Sequence, residues 1–136
     1  MPFRILVADD DEAVRKSHRF ALDAASEQLK DKCVVVESDD SVDAWAKIKA
    51  ERFDLIIVDN DFKDKEIRGH LPGIALLQLA RKEGVNRETA IIFCSGETFE
   101  MLKPMVEKFS AVHLPKAGYD IDRAARLFVE QLTRAK

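Results

Sequence analysis

Apolar residues recur along the chain in two alternating patterns. Short apolar runs at 4–8, 33–37, 54–58, 90–94 and 111–114 are separated and followed by stretches in which apolar positions return every three or four residues. Most of the runs are continuous and do not alternate with polar residues, which is the form of a strand covered on both faces in a parallel sheet. Helical spacing is clearest at Val14, Ala21, Leu22, Ala25 and Leu29, and again at Ile121, Ala124, Ala125, Phe128 and Leu132. The predicted order is therefore strand then helix, five times over. Parallel strands joined by helical crossovers are right-handed, so this order predicts a doubly wound α/β sandwich with helices on both faces. Ligands of such sheets sit in the crevice beyond the carboxyl ends of the strands. The residues that follow each run are thus the ones to inspect for chemistry.

The first run ends in Asp9, Asp10 and Asp11, the third in Asp59, the fourth in Ser95, and the fifth leads to Lys116. Each has an ordinary explanation alone: acidic residues cap helices, serine marks loops, and lysine is common at surfaces. Asp11 fits that account as a cap or first-turn residue. Taken together, four strands deliver carboxylates, a hydroxyl and an ammonium to one edge. Crowded carboxylates resist full ionisation unless a cation intervenes. Oxygen donors without a His or Cys cluster suit Mg²⁺ over zinc, and Mg²⁺ needs only a few protein ligands because it keeps waters or phosphate oxygens. A carboxylate is also able to attack phosphorus, in a transfer governed by positioning and charge neutralisation. Asp59 is then the nucleophile, with Ser95 donating to one phosphoryl oxygen and Lys116 balancing another. Backbone N–H groups near Asn60 and Gly96 would add to the phosphate site, and Gly96 leaves room for its entry.

Size and charge narrow the setting. A chain of 136 residues, 46% hydrophobic and 35% charged with 5 Gly and 4 Pro, reads as one folded domain spanning 1–136. A net charge of −3 without a basic block argues against direct nucleic-acid binding. The apolar runs at 55–58 and 90–94 are far below the roughly 20 residues of a membrane helix, and residues 1–30 lack signal-peptide order, so a cytoplasmic protein without membrane insertion is expected. Cys33 and Cys94 read as a buried pair of reduced core thiols.

The runs ILVADDD, FDLIIVDND, AIIFCSG and VHLPKAG together resemble the receiver family of response regulators, single-domain chemotaxis-type regulators included, over nearly the whole chain. The resemblance implies a flavodoxin-like (βα)5 sandwich with parallel strand order 2-1-3-4-5. It also implies that Asp9 and Asp10 bind Mg²⁺ directly or through water, that Asp59 is both a metal ligand and the phosphoacceptor, and that the Asp61 backbone carbonyl is a further metal contact. Ser95 and Lys116 take the roles of switch hydroxyl and phosphate-binding lysine. The donor would be a phosphohistidine on a sensor histidine kinase or phosphotransfer protein. A receiver with no effector domain acts by changing its affinity for a downstream protein or by relaying the phosphate onward, so the chain reads as a signalling switch that catalyses its own phosphorylation and dephosphorylation, and not as a metabolic enzyme.

Four features depart from the family. Lys116 is followed by Ala117 in place of proline, and since a non-proline cis bond costs about 3 kcal/mol, Lys116–Ala117 is expected to be trans. His113 stands where the family places a Tyr or Phe that swings inward; it is either that switch residue or a half-exposed strand histidine. The segment 60–72 is longer than the family's loop and is expected to influence partner choice or phosphate lifetime. Pro104 falls inside a helical pattern that it should kink or split. Two other functions remain open. Asp59-Asn60-Asp61, Ser95 and Lys116 are also similar to the first three motifs of haloacid-dehalogenase-type phosphatases, but those require an acidic pair after the lysine. A receiver-like interaction module working without phosphorylation is the other.

Overall fold

The computed structural model describes residues 2–60, 62, 69, 71–96 and 99–134, without the side chain of Phe99. Five strands and five helices alternate: β1 (Phe3–Ala8), α1 (Glu12–Leu29), β2 (Cys33–Ser38), α2 (Ser41–Ala50), β3 (Leu55–Asp59), α3 (Gly73–Lys82), β4 (Ala90–Ser95), α4 (Phe99–Lys108), β5 (Val112–Pro115) and α5 (Ile121–Arg134). All strand pairings are parallel, in the order β2-β1-β3-β4-β5. This is the flavodoxin-like arrangement, with β1 and β3 side by side at the centre.

Successive residues of a strand face opposite sides of a sheet, so each central strand feeds two cores. Ile5, Val7, Leu55, Ile57, Ile92 and Cys94 pack with α1 and α5, whose inward residues include Ala21, Leu22, Ala25, Ala124, Ala125 and Phe128. Leu6, Ala8, Ile56, Val58, Ile91 and Phe93 pack on the other face with Ala44, Ile48, Leu76, Leu77, Ala80 and Val106 from α2, α3 and α4. The edge strand β2 is covered less completely, and for that reason Cys33 is only half-buried while Cys94 is buried; both are free thiols. The expected buried pair is thus one buried thiol and one partly exposed.

Helix starts are set locally. Asp11 caps α1 by accepting from the Ala13 N–H at 2.9 Å, and Asp40 caps α2 from the Asp43 N–H at 2.7 Å. Helix α4 runs unbroken through Pro104, so it is not split. Proline removes only the bond to the Glu100 carbonyl, and Glu100 is solvent-exposed. No described peptide bond is cis, so Lys116–Ala117 is trans as expected. Among the described residues no helix is long and apolar enough to cross a membrane.

Helix α3 has no side-chain cap and starts instead at Gly73, pressed against the end of β3. A Cβ there would lie 2.0 Å from the Asp59 carbonyl oxygen and 2.7 Å from the Asn60 Cα. Backbone cannot yield as a side chain does. Gly73→Ala is therefore expected to destabilise the fold by about 3 kcal/mol, the upper end for overpacking. Urea unfolding would show it, and a change below about 1 kcal/mol would mean the two segments separate easily.

Candidate functional site

Strands β1 and β3 end at the same edge, and their ends hold the site. Asp9 directly follows β1, its N–H donating to the Ser38 carbonyl at 3.0 Å, and Asp59 is the last residue of β3, in register with Cys94. Asp9 and Asp59 are each 1% exposed, whereas Asp10 is half-buried. One carboxylate oxygen from each of the three lies within 4.8 Å of the others. Lys116, just past β5, pairs its ammonium with Asp59 Oδ1 and places it 3.5 Å from Asp9 Oδ2. Asp9, Asp10, Asp59 and Lys116, predicted from separate stretches of sequence, thus converge. Asp11 contributes backbone, its N–H donating to Asp9 Oδ1 at 2.9 Å.

The electrostatics are unbalanced. Asp9 is pushed up to about 6, chiefly by burial and then by the Asp59 charge, with the Asp11 N–H and Lys116 opposing. Lys116 is held above the ordinary lysine range: burial would lower it, but the hydrogen bond to Asp59 and the charges of Asp9 and Asp59 outweigh that. Among the described residues the Lys116 ammonium pairs with two of the three clustered carboxylates. Asp9 Oδ2 is buried and accepts no hydrogen bond among the described residues. A buried, all-oxygen cluster with excess negative charge and such an orphaned oxygen fits a hard divalent cation.

Ser95 ends β4 and is buried; its hydroxyl lies 2.9 Å from His113 Nε2, and its carbonyl accepts from the Lys116 N–H at 3.1 Å. His113 is half-buried, and burial lowers its pKa against the opposing influence of Ser95. His113 is thus the partly exposed strand histidine that was one of its two readings, and it contacts the Ser95 hydroxyl. One predicted phosphate donor is already engaged. The Asn60 N–H donates to the Cys94 carbonyl at 3.0 Å, extending the β3–β4 ladder, so this donor is committed to the sheet. At Gly96 a Cβ would meet nothing within 4 Å among the described residues. Asp61, including its predicted backbone contact to metal, lies outside the described residues, as do 63–68 and 70 of the long loop.

Other contributors carry little sequence signal. Arg15 on α1 donates to the Asp9 carbonyl at 2.7 Å and pairs with Glu37 at 3.0 Å and with Glu12, fixing the backbone that presents Asp9. Nothing but its place one turn into the helix after the acidic triplet sets it apart in the sequence. His18 and Tyr119, 101 positions apart, meet at 2.8 Å behind Lys116.

A sequence model of the response regulator receiver domain matches residues 5–115. No protein with curated functional data matches the chain significantly. Among solved structures, a CheY-like response regulator receiver domain protein from Methanospirillum hungatei JF-1 superposes with a TM-score of 0.79 at 22% identity, covering 99% of this chain and 97% of that one. Chemotaxis protein CheY4 of Vibrio cholerae gives 0.70 at 21% identity, with 100% of each chain covered. The receiver domain of sensor histidine kinase PA1611 from Pseudomonas aeruginosa PAO1, solved with a magnesium ion coordinated in its active site cleft, gives 0.76 at 15% identity over 98% of this chain and 99% of that one.

Proposed function

The chain belongs to the response regulator receiver family, and from that premise we propose that it is a cytoplasmic phosphorylation switch that takes a phosphoryl group onto Asp59 and so changes its affinity for a partner protein. The observation that carries this reading is the convergence of Asp9, Asp10 and Asp59 with Lys116 at the carboxyl edge of the sheet. Asp9 and Asp10, with an oxygen of Asp59, would hold Mg²⁺. When bound, the ion supplies positive charge to the oxygens of the transferred group. The backbone carbonyl of Asp61 is the further ligand we assign to it.

The chain's own groups do the positioning. An oxygen of Asp59 attacks phosphorus of a phosphohistidine on a sensor kinase or phosphotransfer protein, forming an O–P bond as the N–P bond breaks and the imidazole leaves. Lys116, already paired with Asp59, stays beside the charge as it moves to the phosphoryl oxygens. Ser95 donates its hydroxyl to one of those oxygens and in doing so leaves His113. That exchange gives the α4–β5–α5 surface two arrangements, which phosphorylation biases. Asn60 and Gly96, which follow β3 and β4, are the further phosphate-binding positions we assign.

A phosphatase of the haloacid-dehalogenase type is disfavoured by the acid order, with Asp9 and Asp10 ahead of every other site residue. Incubation with acetyl phosphate and Mg²⁺, followed by peptide mass spectrometry, is expected to place one phosphoryl group on Asp59. Steady turnover of p-nitrophenyl phosphate, or a phosphoryl group elsewhere, would overturn the assignment. The same sample with beryllofluoride should shift the His113 ring resonances; their constancy would remove His113 from the switch.

A further inference from the structure

Lys116 must hold its ammonium at Asp59, yet the packing beside its stem is incomplete. It lies in the loop between β5 and α5, half-buried, in a trans-linked Lys116–Ala117–Gly118–Tyr119 segment whose turn relies on a positive φ of 65° at Gly118. A cavity of about 150 Å³ adjoins it, lined by Ala13, Val14, Ser17, His18, Cys94 and Tyr119. Packing on that side is therefore incomplete. A flexible four-carbon stem beside such a space loses considerable rotamer entropy if it stays in one place.

The loop has two anchors. Its start is tied to β4 by the Lys116 N–H to the Ser95 carbonyl. Its far side is tied to α1 by the Tyr119 hydroxyl, 2.8 Å from His18 Nδ1, with the two rings edge to face at 5.3 Å. His18 is 1% exposed, and its other ring nitrogen lies 3.7 Å from Cys94 Sγ on β4. One imidazole thus joins α1, β4 and the lysine loop from behind. Both ring nitrogens have partners, which fixes the ring, and its position on the long α1 ties the loop to a rigid element. Burial and the Lys116 charge keep this imidazole neutral, so one nitrogen accepts and the other donates.

We propose that His18 and Tyr119 are positioning residues for Lys116, their hydrogen bond fixing the loop so that the ammonium stays at the acceptor carboxylate. The proposal rests on the phosphoacceptor reading only for its effect on rate; the effect on Lys116 itself does not depend on it. Neither residue touches the reacting atoms. The role is distinct from core packing because it requires the hydroxyl and the nitrogen, not merely the rings.

The test uses the full chain with Tyr119→Phe, His18→Leu and His18→Asn, each with Lys116 present and in a Lys116→Ala background. Two quantities are read: the rate of phosphorylation by acetyl phosphate with Mg²⁺, and the ¹³Cε resonance of Lys116 in lysine-labelled protein. Tyr119→Phe and His18→Leu should slow phosphorylation by about 10-fold, well within what a small displacement of a reacting group costs. Both should move the Lys116 resonance towards those of exposed lysines. His18→Asn, which keeps a polar atom near Nδ1, should retain most of the rate. None should slow the Lys116→Ala protein further. Equal losses in both backgrounds, or a Lys116 resonance unmoved in Tyr119→Phe, would overturn the proposal. Tyr119→Phe keeps the ring and so remains decisive should His18→Leu fail to fold. If the parent protein takes up no phosphoryl group, the acceptor reading fails, and the resonance alone decides the loop anchor.

Discussion

Asp59→Asn is expected to abolish phosphoryl uptake from acetyl phosphate, a loss on the order of 10³-fold or more as for removal of other nucleophiles, while making the metal-free protein more stable. The two effects arise from the same feature. Asp59 is 1% exposed in a cluster of three carboxylates, and its charge is the second cause, after burial, of the raised pKa of Asp9. An amide of nearly the same shape removes the nucleophilic oxygen and one buried charge together. Lys116 loses one partner but remains 3.5 Å from Asp9. The net gain should be about 1 kcal/mol, the size of one unit of relieved pKa shift. Phosphorylation assays and urea unfolding in chelator would show opposite signs for activity and stability. A variant that is inactive because it is less stable would point to Asp59 as a structural residue instead.

That combination of buried charges was visible in the sequence only in part. Continuous apolar runs place strands reliably because a strand covered on both faces admits no polar position, and the runs ending at Ala8, Val58 and Cys94 match β1, β3 and β4 to within a residue at the carboxyl end. Asp9, Asp59 and Ser95 were legible for the same reason, each directly following such a run, and Lys116 follows the fifth run after one proline. Contacts made across the fold carry no such mark. Tyr119 and His18 belong to patterns that read as loop and helix, and their bond depends on how α1 packs beside the β5–α5 loop. Gly73 looks like an ordinary residue after a proline, although its missing side chain lets α3 start against Asp59. Cys33 is less buried than its apolar run suggests because it opens β2, an edge strand of the order that the resemblance implied. Pro104 does not split α4, because a helix tolerates the loss of one backbone hydrogen bond.

A second large effect should appear in how stability depends on pH, through two buried groups with opposite signs. His18 is pushed down from 6.5 to about 4 by burial and by the charge of Lys116, with Tyr119 and Cys94 as its neutral neighbours. The unfolded chain therefore binds a proton that the fold refuses between about pH 6.5 and 4, and stability falls as pH drops through that window. Asp9, facing Asp59, Asp10 and Lys116, is pushed up from 3.8 to about 6, so here the fold binds the proton first and stability rises as pH drops from about 6 to 4. Each shift corresponds to about 3 kcal/mol at 1.36 kcal/mol per unit. The metal-free protein should thus show little net slope from this pair between pH 4 and 6.5, which conceals both. Asp9→Asn uncovers the loss from His18, so stability should fall by about 3 kcal/mol on acidification. His18→Asn uncovers the opposite slope. Mg²⁺ should act as Asp9→Asn does, because a bound cation keeps Asp9 ionised and removes its preference for the proton. Denaturant unfolding across this pH range, with chelator and with Mg²⁺, measures all four slopes; the same slope in both variants would show that the two groups are not the ones that titrate.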